Sequence, residues 1–516
     1  MQYTLTCLNI FFAWFFILAK TQLTSGNTIK NAVILLADDG GFEIGAYREK
    51  ICQTPNLDAL AKKSLIFNNA YTSSSSCSPS RASLLTGQPS HQNGMYGLHH
   101  GVHHFNSFSN ITSLPNLLRE NGIRTGIIGK KHVGPDEVFK FDYEQTENQH
   151  PINQVGRNIT FIKLLVREFL KQNDGKQPFL LYVAFHDPHR CGHVTPQYGS
   201  YCERWGSGEE GMGVIPDWHP IYYQWDQLEL PYYIPDTEPA RRDLAAQYTT
   251  ISRLDQGVGL VLEELKQAGH ADDTLVIYTS DNGPPVPGGR TNLYDSGMAE
   301  PMFMSAPGQK RRNQVTYELA SLLDVTPTLL DWFNISEPGV SRLETNDVNV
   351  GRTLTGKSLL NLLNEEPPEN PNEAIFASQT HHEVTMYYPM RAIRTKRYKL
   401  IHNLNYQAPF PIDQDLYVSP TFEDILNRTR DKDALPWYRN LKSYYNRPEW
   451  ELYDVKHDPE ELRNLAGKPD IKDTFEELKK RLHSWQQQTN DPWRCAPHSV
   501  LMDTPGITAE CLPLYN

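Results

Sequence analysis

Residues 31 to 37, NAVILLA, are apolar without alternation, the pattern of a strand buried on both faces of a parallel sheet. Three more runs share it: RTGIIG at 124 to 129, FLLYVAF at 179 to 185 and TLVIYTS at 274 to 280. Each of the four stops at polar residues, namely Asp38-Asp39-Gly40-Gly41, Lys130-Lys131-His132, His186-Asp187-Pro188-His189-Arg190 and Asp281-Asn282-Gly283. Ligands of open α/β sheets sit beyond the carboxyl ends of the strands, so these endings converge on one expected site. NLDALAKKSL, SLPNLLRENG and the amphipathic stretch from Arg241 to Gly269 predict the crossover helices that a parallel sheet requires. Residues 186 to 238 are rich in Gly, Pro and aromatics and predict a structured loop that roofs the site.

A chain of 516 residues exceeds what one core usually serves, which predicts a large domain and a smaller one. The boundary is expected in NEEPPENPNE, residues 364 to 373, whose clustered Pro, Asn and Glu disfavour helix and strand alike. Beyond it, EAIFAS, YKLIHNL and WELYDV predict strands. Residues Ile471 to Gln487 predict a helix with Phe475, Leu478, Leu482 and Trp485 on one face. The expected fold class is α/β: a large domain over 27–372 with a mostly parallel central sheet flanked by helices, then a smaller domain over 373–516 with an antiparallel sheet and a helix.

The apolar run at 5 to 19, LTCLNIFFAWFFILA, is short for a membrane span and is followed by the polar stretch TQLTSGN, so residues 1–26 read as a cleaved signal peptide. No stable membrane insertion is expected. N-x-S/T sequons at Asn110, Asn158, Asn334 and Asn427 agree with the secretory pathway. Removing the signal leaves six cysteines, of which Cys191 with Cys202 and Cys495 with Cys511 are close enough for loop staples. Parity then leaves Cys52 and Cys77 either paired or both free. The net charge of −12 argues against a nucleic-acid binder, so an anionic substrate must meet a local basic pocket.

The chemistry centres on Cys77-Ser78-Pro79-Ser80-Arg81-Ala82-Ser83-Leu84-Leu85-Thr86-Gly87. Ser78 is the expected N-cap of a short helix, Pro79 its first residue and Gly87 its stop. Cys77 would face the helix N-terminus with Arg81 one turn on, an arrangement suited to binding and transferring a tetrahedral anion. Asp38, Asp39, Asp281 and Asn282 are hard oxygen donors that select Ca²⁺ or Mg²⁺ over zinc, and Ca²⁺ is the expectation. His99, His100, His103 and His104 lack a nearby Cys or carboxylate to complete a zinc site and are expected to line the cleft at most.

The stretch from Cys77 to Gly87 resembles the signature of the sulfatase family, C-x-P-S-R-x-x-x-L-T-G. The resemblance implies an alkaline-phosphatase-like fold and oxidation of Cys77 to formylglycine (3-oxoalanine) by a formylglycine-generating enzyme. It implies that Asp38, Asp39, Asp281, Asn282 and residue 77 hold the metal, that Lys130 contacts the sulfate and His132 the formylglycine, and that His189 lies near the leaving group. Arg290 falls where many sulfatases place a lysine facing the sulfate. FHDPHRCGH, SHQNGMYGLHH, SQTHHEVTMYYPMRAI and DPWRCAP resemble the branch that removes N-linked sulfate from the non-reducing-end glucosamine of heparan sulfate. That branch implies a lysosomal homodimer. The rivals are another glycosaminoglycan O-sulfatase, a phosphatase or phosphodiesterase of the same superfamily, which Cys77 in place of Ser or Thr disfavours, and an inactive glycan-binding protein.

Overall fold

The computed structural model describes residues 30–151, 154–173, 175, 177–192, 199–336, 354–368, 373–502 and 509–514. The expected signal peptide, and residues 369–372 of the expected linker, lie outside them. All four apolar runs form strands: β1 (Asn31–Asp38), β3 (Arg124–Gly129), β5 (Phe179–Pro188) and β6 (Thr274–Ser280). With β2 (Leu65–Tyr71), β4 (Tyr143–Thr146), β7 (Ala299–Ser305) and β8 (Gln314–Ser321) they make an eight-stranded sheet of order β4-β3-β5-β1-β6-β7-β2-β8. Only β7 runs antiparallel to its neighbours.

Every residue of β1 is buried because both faces of the sheet are covered. On one face Ala32, Ile34 and Leu36 pack with Ala82, Leu84 and Leu85 of the Cys77–Thr86 helix and with the Leu114–Glu120 and Val325–Trp332 helices. On the other, Val33, Leu35 and Ala37 meet the Pro55–Ala61, Ile159–Asn173 and Glu238–Gln267 helices. The first of these stops six residues into NLDALAKKSL. Its tail turns at Lys62 and Lys63, and Leu65 opens β2, whose polar pair Asn68-Asn69 hid the strand from the apolar pattern.

The four strands legible in the sequence are consecutive neighbours, β3-β5-β1-β6, and this adjacency makes the site. Ala37 pairs with Ser280, so Asp38-Asp39 and Asp281-Asn282 leave the sheet side by side. Gly129 pairs with Ala184 across β3 and β5, and Lys130 N–H donates to the Ala184 carbonyl at 2.8 Å. Gly129 sits at φ 102°, and a Cβ there would run into that same carbonyl, so only glycine brings Lys130 this close.

Past residue 373, β9 (Ala374–Gln379), β10 (Met390–Thr395), β11 (Tyr398–Asn403) and β12 (Trp450–Asp454) form an antiparallel sheet of order β12-β11-β10-β9. The Lys472–Gln488 helix covers one face, with Leu478, Leu482 and Trp485 against Ile393, Leu400 and Leu452. The other face carries Ala377, Ala392 and Ile401 onto Tyr71, Leu293 and Met298 of the larger unit. β10 escaped the sequence pattern because Arg391 and Arg394 interrupt it. Both are buried, Arg391 on Asp491 at 2.6 Å and Arg394 on Asp295 at 3.4 Å. Ser378 N–H donates to the Ser73 carbonyl at 2.7 Å, which fastens β9 to the loop leading into Cys77.

Candidate active site

The helix that opens the site begins at Cys77, with Ser76 as its extended N-cap. This corrects the sequence expectation: Cys77 is the first helical residue, and Pro79 lies in the first turn, where its missing N–H is equally harmless. Gly87 ends the helix at φ 64°, as expected. All ten residues are buried, because the helix packs on the central sheet between the Leu114–Glu120 and Val325–Trp332 helices. Cys191–Cys202 and Cys495–Cys511 are disulfides, while Cys52 and Cys77 are both free and buried, which excludes their pairing.

Around Cys77 the strand ends assemble a dense ionic cluster. Its Sγ lies 3.7 Å from Asp39 Oδ1. Arg81 Nε donates to Asp281 Oδ2 at 2.8 Å, its Nη1 donates to the Lys130 carbonyl at 2.6 Å, and its Nη2 stands 3.2 Å from Asp38 Oδ1. Lys130 Nζ donates to Asp38 Oδ2 at 2.5 Å. Arg290 Nη1 donates to Asp39 Oδ2 at 2.6 Å, and Asn282 Nδ2 donates to Asp39 Oδ1 at 2.6 Å. Single donor atoms of Asp38, Cys77 and Asp281 lie within 4.8 Å of one another, as do those of Asp39, Cys77 and His189.

These oxygens fit a divalent cation. Asp38 Oδ1 and Asn282 Oδ1 are buried and receive no hydrogen bond, a costly state unless something else satisfies them. Burial and the neighbouring carboxylates Asp38 and Asp281 hold Asp39 well above the usual carboxylate range. Burial and Asp38 likewise push Asp281 up to about 6. Asp38 is depressed: its burial is overcome by Lys130, His189 and Arg81. A cluster that its own cations leave partly protonated gains from an added metal charge. The Cys77 thiol is also pushed up, by burial and then by Asp39, Asp38 and Asp281 against Lys130. A free thiolate nucleophile of the cysteine-protease kind is thereby disfavoured.

His189, His132 and His186 face the cluster, with His186 Nε2 3.6 Å from Asp38 Oδ2. His189 is carried by a loop tied down through Asp187, which pairs with Arg157 at 2.5 Å and Arg253 at 2.6 Å, and through Arg190, which pairs with Asp243 at 2.7 Å. His189 Nδ1 donates to the Arg190 carbonyl at 2.7 Å, which leaves Nε2 to accept from Arg290 Nη1 at 3.1 Å. Burial, with Lys130 and Arg290, holds it well below the ordinary imidazole value. His132 is depressed by burial, Lys130 and His100, and its ring contacts His100.

A cavity of about 570 Å³ opens over the cluster and is lined by Cys77, Lys130, His132, His189 and Arg290 among others. His99, His100, His103 and His104 form part of its wall. Lys131, between the two lining residues Lys130 and His132, is buried and bridges Asp136 at 2.9 Å and Glu144 at 3.1 Å. Sequence reasoning gave no particular role to several lining residues. His186 donates through Nδ1 to Glu147 Oε1 at 2.7 Å. His382 Nδ1 bonds Ser76 Oγ at 2.8 Å, and Glu383 and Asp415 face the cavity from the C-terminal segment. Asp413 and Asp415 both bind Arg290 Nη2. The D-x-D spacing in PIDQDLY was the only sequence signal for this pair, and nothing in it points across the molecule to Arg290.

Comparison with known proteins bears on this arrangement. The sequence profile of the sulfatase family matches residues 30–335, and that of the N-sulphoglucosamine sulphohydrolase C-terminal region matches 290–422 and 434–488. N-sulphoglucosamine sulphohydrolase of Homo sapiens is 57% identical over 488 residues, covering 94% of this chain and 95% of that protein. A protein solved with its substrate D-glucosamine-2-N,6-O-disulfate shares the fold at a TM-score of 0.61 and 20% identity, over 90% of this chain and 98% of that one. So does a phosphonate monoester hydrolase from Silicibacter pomeroyi, at a TM-score of 0.59 and 17% identity over 94% and 100%. These two structures share the fold, and the profile match and the human relative give the family. The chain belongs to the sulfatase family.

Proposed function

We propose that the chain hydrolyses the N-linked sulfate of non-reducing-end N-sulfoglucosamine in heparan sulfate. The observation that carries this is the 57% identity, over 94% of the chain, to human N-sulphoglucosamine sulphohydrolase. Ca²⁺ is assigned to Asp38, Asp39, Asp281, Asn282 and residue 77, with the two unsatisfied oxygens among the reasons. Residue 77 acts as formylglycine, whose hydrated aldehyde supplies the attacking oxygen, while the bound cation lowers the cost of negative charge there. Cys77 is 1% exposed, so its conversion by a formylglycine-generating enzyme has to precede folding.

The chain's own residues do the rest. Lys130 sets positive charge on the floor, backed by the buried Arg81, where the sulfonate oxygens gather charge as the S–N bond breaks. Arg290 orients His189, whose Nε2 accepts from Arg290 in the free site and must take up a proton when substrate binds before it can pass one to the departing nitrogen. His132, held neutral by burial, Lys130 and His100, accepts a proton from the hydrate of residue 77. Passage to the lysosome through the secretory pathway and assembly as a homodimer belong to the same proposal. Exposed sequons at Asn110, Asn334 and Asn427 support the route. Among the described residues no helix is long and apolar enough to cross a membrane.

The test is sulfate release by protein from its natural host, offered N-sulfoglucosamine, glucosamine 6-O-sulfate and a phosphate monoester at equal concentration. Turnover is expected on the N-sulfated sugar and at least about 100-fold less on the others. Faster release from the O-sulfate or the phosphate would overturn the assignment.

A further inference from the structure

The cavity has two chemically opposite sides. Its floor carries Lys130, with Arg81 fully buried beneath it, but the wall supplied by the C-terminal segment is acidic, with Asp415 and Glu383 facing the space and Asp413 behind them. On that wall the single guanidinium of Arg290 meets Asp39 at 2.6 Å, Asp413 at 2.7 Å and Asp415. Even with Asp39 given to the cation, two carboxylates remain for one positive charge. A surplus of negative charge is an odd lining for a pocket that must admit a sulfate, unless positive charge appears during the reaction.

Hydrolysis of an N-sulfate creates that charge. In R–NH–SO₃⁻ + H₂O → R–NH₃⁺ + SO₄²⁻ the S–N bond breaks, its electron pair stays on nitrogen, and two protons reach that nitrogen while sulfur gains an oxygen. In R–O–SO₃⁻ + H₂O → R–OH + HSO₄⁻ the leaving oxygen ends neutral. A carboxylate beside the leaving atom therefore favours the first reaction over the second. Asp415 stands in that place: its Oδ2 is 3.9 Å from His189 Nε2, the group assigned to the departing nitrogen, and its side chain keeps 10% exposure. Glu383 Oε1 accepts from Gln414 N–H at 2.8 Å, which fixes the second carboxylate on the same wall. Residues 383 and 415 lie beyond the 30–335 match to sulfatases at large and inside the 290–422 match to the C-terminal region.

We infer that Asp415, supported by Glu383, receives the ammonium formed on the amino sugar and is the residue that selects N-linked over O-linked sulfate. The inference rests on the N-sulfatase reading above. Its test compares D-glucosamine with D-glucose, which carries a hydroxyl in place of the ammonium, as competitive inhibitors of the full-length enzyme. The wild type is expected to bind glucosamine at least about tenfold more tightly. Asp415→Asn is expected to erase that preference and to lower kcat on N-sulfoglucosamine at least about tenfold more than on an aryl sulfate. Inhibition by inorganic sulfate should not weaken, since a negative charge leaves the lining. A retained preference, or equal losses on both substrates, overturns the inference and leaves Asp415 as a mere support of Arg290. Should Asp415→Asn fail to fold, Glu383→Gln, which keeps the acceptor for Gln414, must still weaken the preference by about threefold. An unchanged preference there overturns the inference equally. A wild type that ignores N-sulfoglucosamine removes the underlying reading, whereas an active wild type whose preference survives the substitutions removes only this one.

Discussion

Asp281 shows how much one side chain decides. It holds Arg81 Nε at 2.8 Å, accepts the Asp39 N–H at 3.1 Å and belongs to the oxygen cluster around Cys77. On the proposed calcium assignment, removing its carboxylate would take a ligand from the cation, and it leaves the guanidinium of a fully buried arginine half unpaired. Asp281→Ala is expected to weaken Ca²⁺ binding at least about 100-fold, since even outer partners of metal ligands cost about 10- to 100-fold. Titration calorimetry reads this independently of activity, which should also disappear. Unchanged calcium affinity would remove Asp281 from the ligand set. Arg290 makes the complementary point. A sequence reading aims it at the sulfate, but its guanidinium already contacts Asp39, Asp413, Asp415 and His189, so its role includes ordering those groups.

At the scale of elements, the C-terminal helix decides whether the smaller sheet stays in place behind the site. Trp485 is 4% exposed, stacks on Phe376 of β9 with centroids 4.9 Å apart, and meets the edge of His91 at 5.0 Å. Through β9 it also braces the Ser73 loop that leads into Cys77. Trp485→Ala is expected to cost about 3–5 kcal/mol, from lost burial plus the cavity left behind. Urea unfolding followed by far-ultraviolet circular dichroism measures it, and a loss below about 1 kcal/mol would show that the helix is not what holds the sheet. The helix pattern was legible because Leu478, Leu482 and Trp485 recur at helical spacing. β10 was not, because its arginines are buried by partners, Asp491 and Asp295, that lie 100 and 99 positions away.

For the whole molecule, buried carboxylates away from the site tune stability to acid. Burial, helped by Glu49, raises Glu43 to about 7, and burial raises Asp324 to about 6. Below the unfolded value both states are protonated and the benefit is complete. Between the two values only the folded state keeps the proton, so stability falls as pH rises through the folded pKa. Melting temperature is therefore expected to rise on acidification from about pH 7.5 to about pH 5. Glu43 contributes up to about 3 kcal/mol of this, because each pH unit between its unfolded and folded values is worth about 1.4 kcal/mol. Glu43→Gln should flatten that dependence in thermal melts, and an unaltered slope would assign the effect elsewhere. Asp491 acts in the opposite sense: despite burial, Arg391 holds it far below the usual range, so its contribution persists until strongly acid pH.

Local pattern and composition were enough to specify four doubly buried strands, the polar ends they release, two short-range disulfides, and a cysteine one helical turn from an arginine. Folding in three dimensions settled that those four strands are neighbours, that Lys131 is buried, that Cys52 and Cys77 remain apart, and that an acidic wall from beyond residue 373 closes the cavity. Apolar periodicity reports whether a residue is buried, but pairings between residues a hundred or more positions apart depend on the order of strands in the sheet, which no local signal contains.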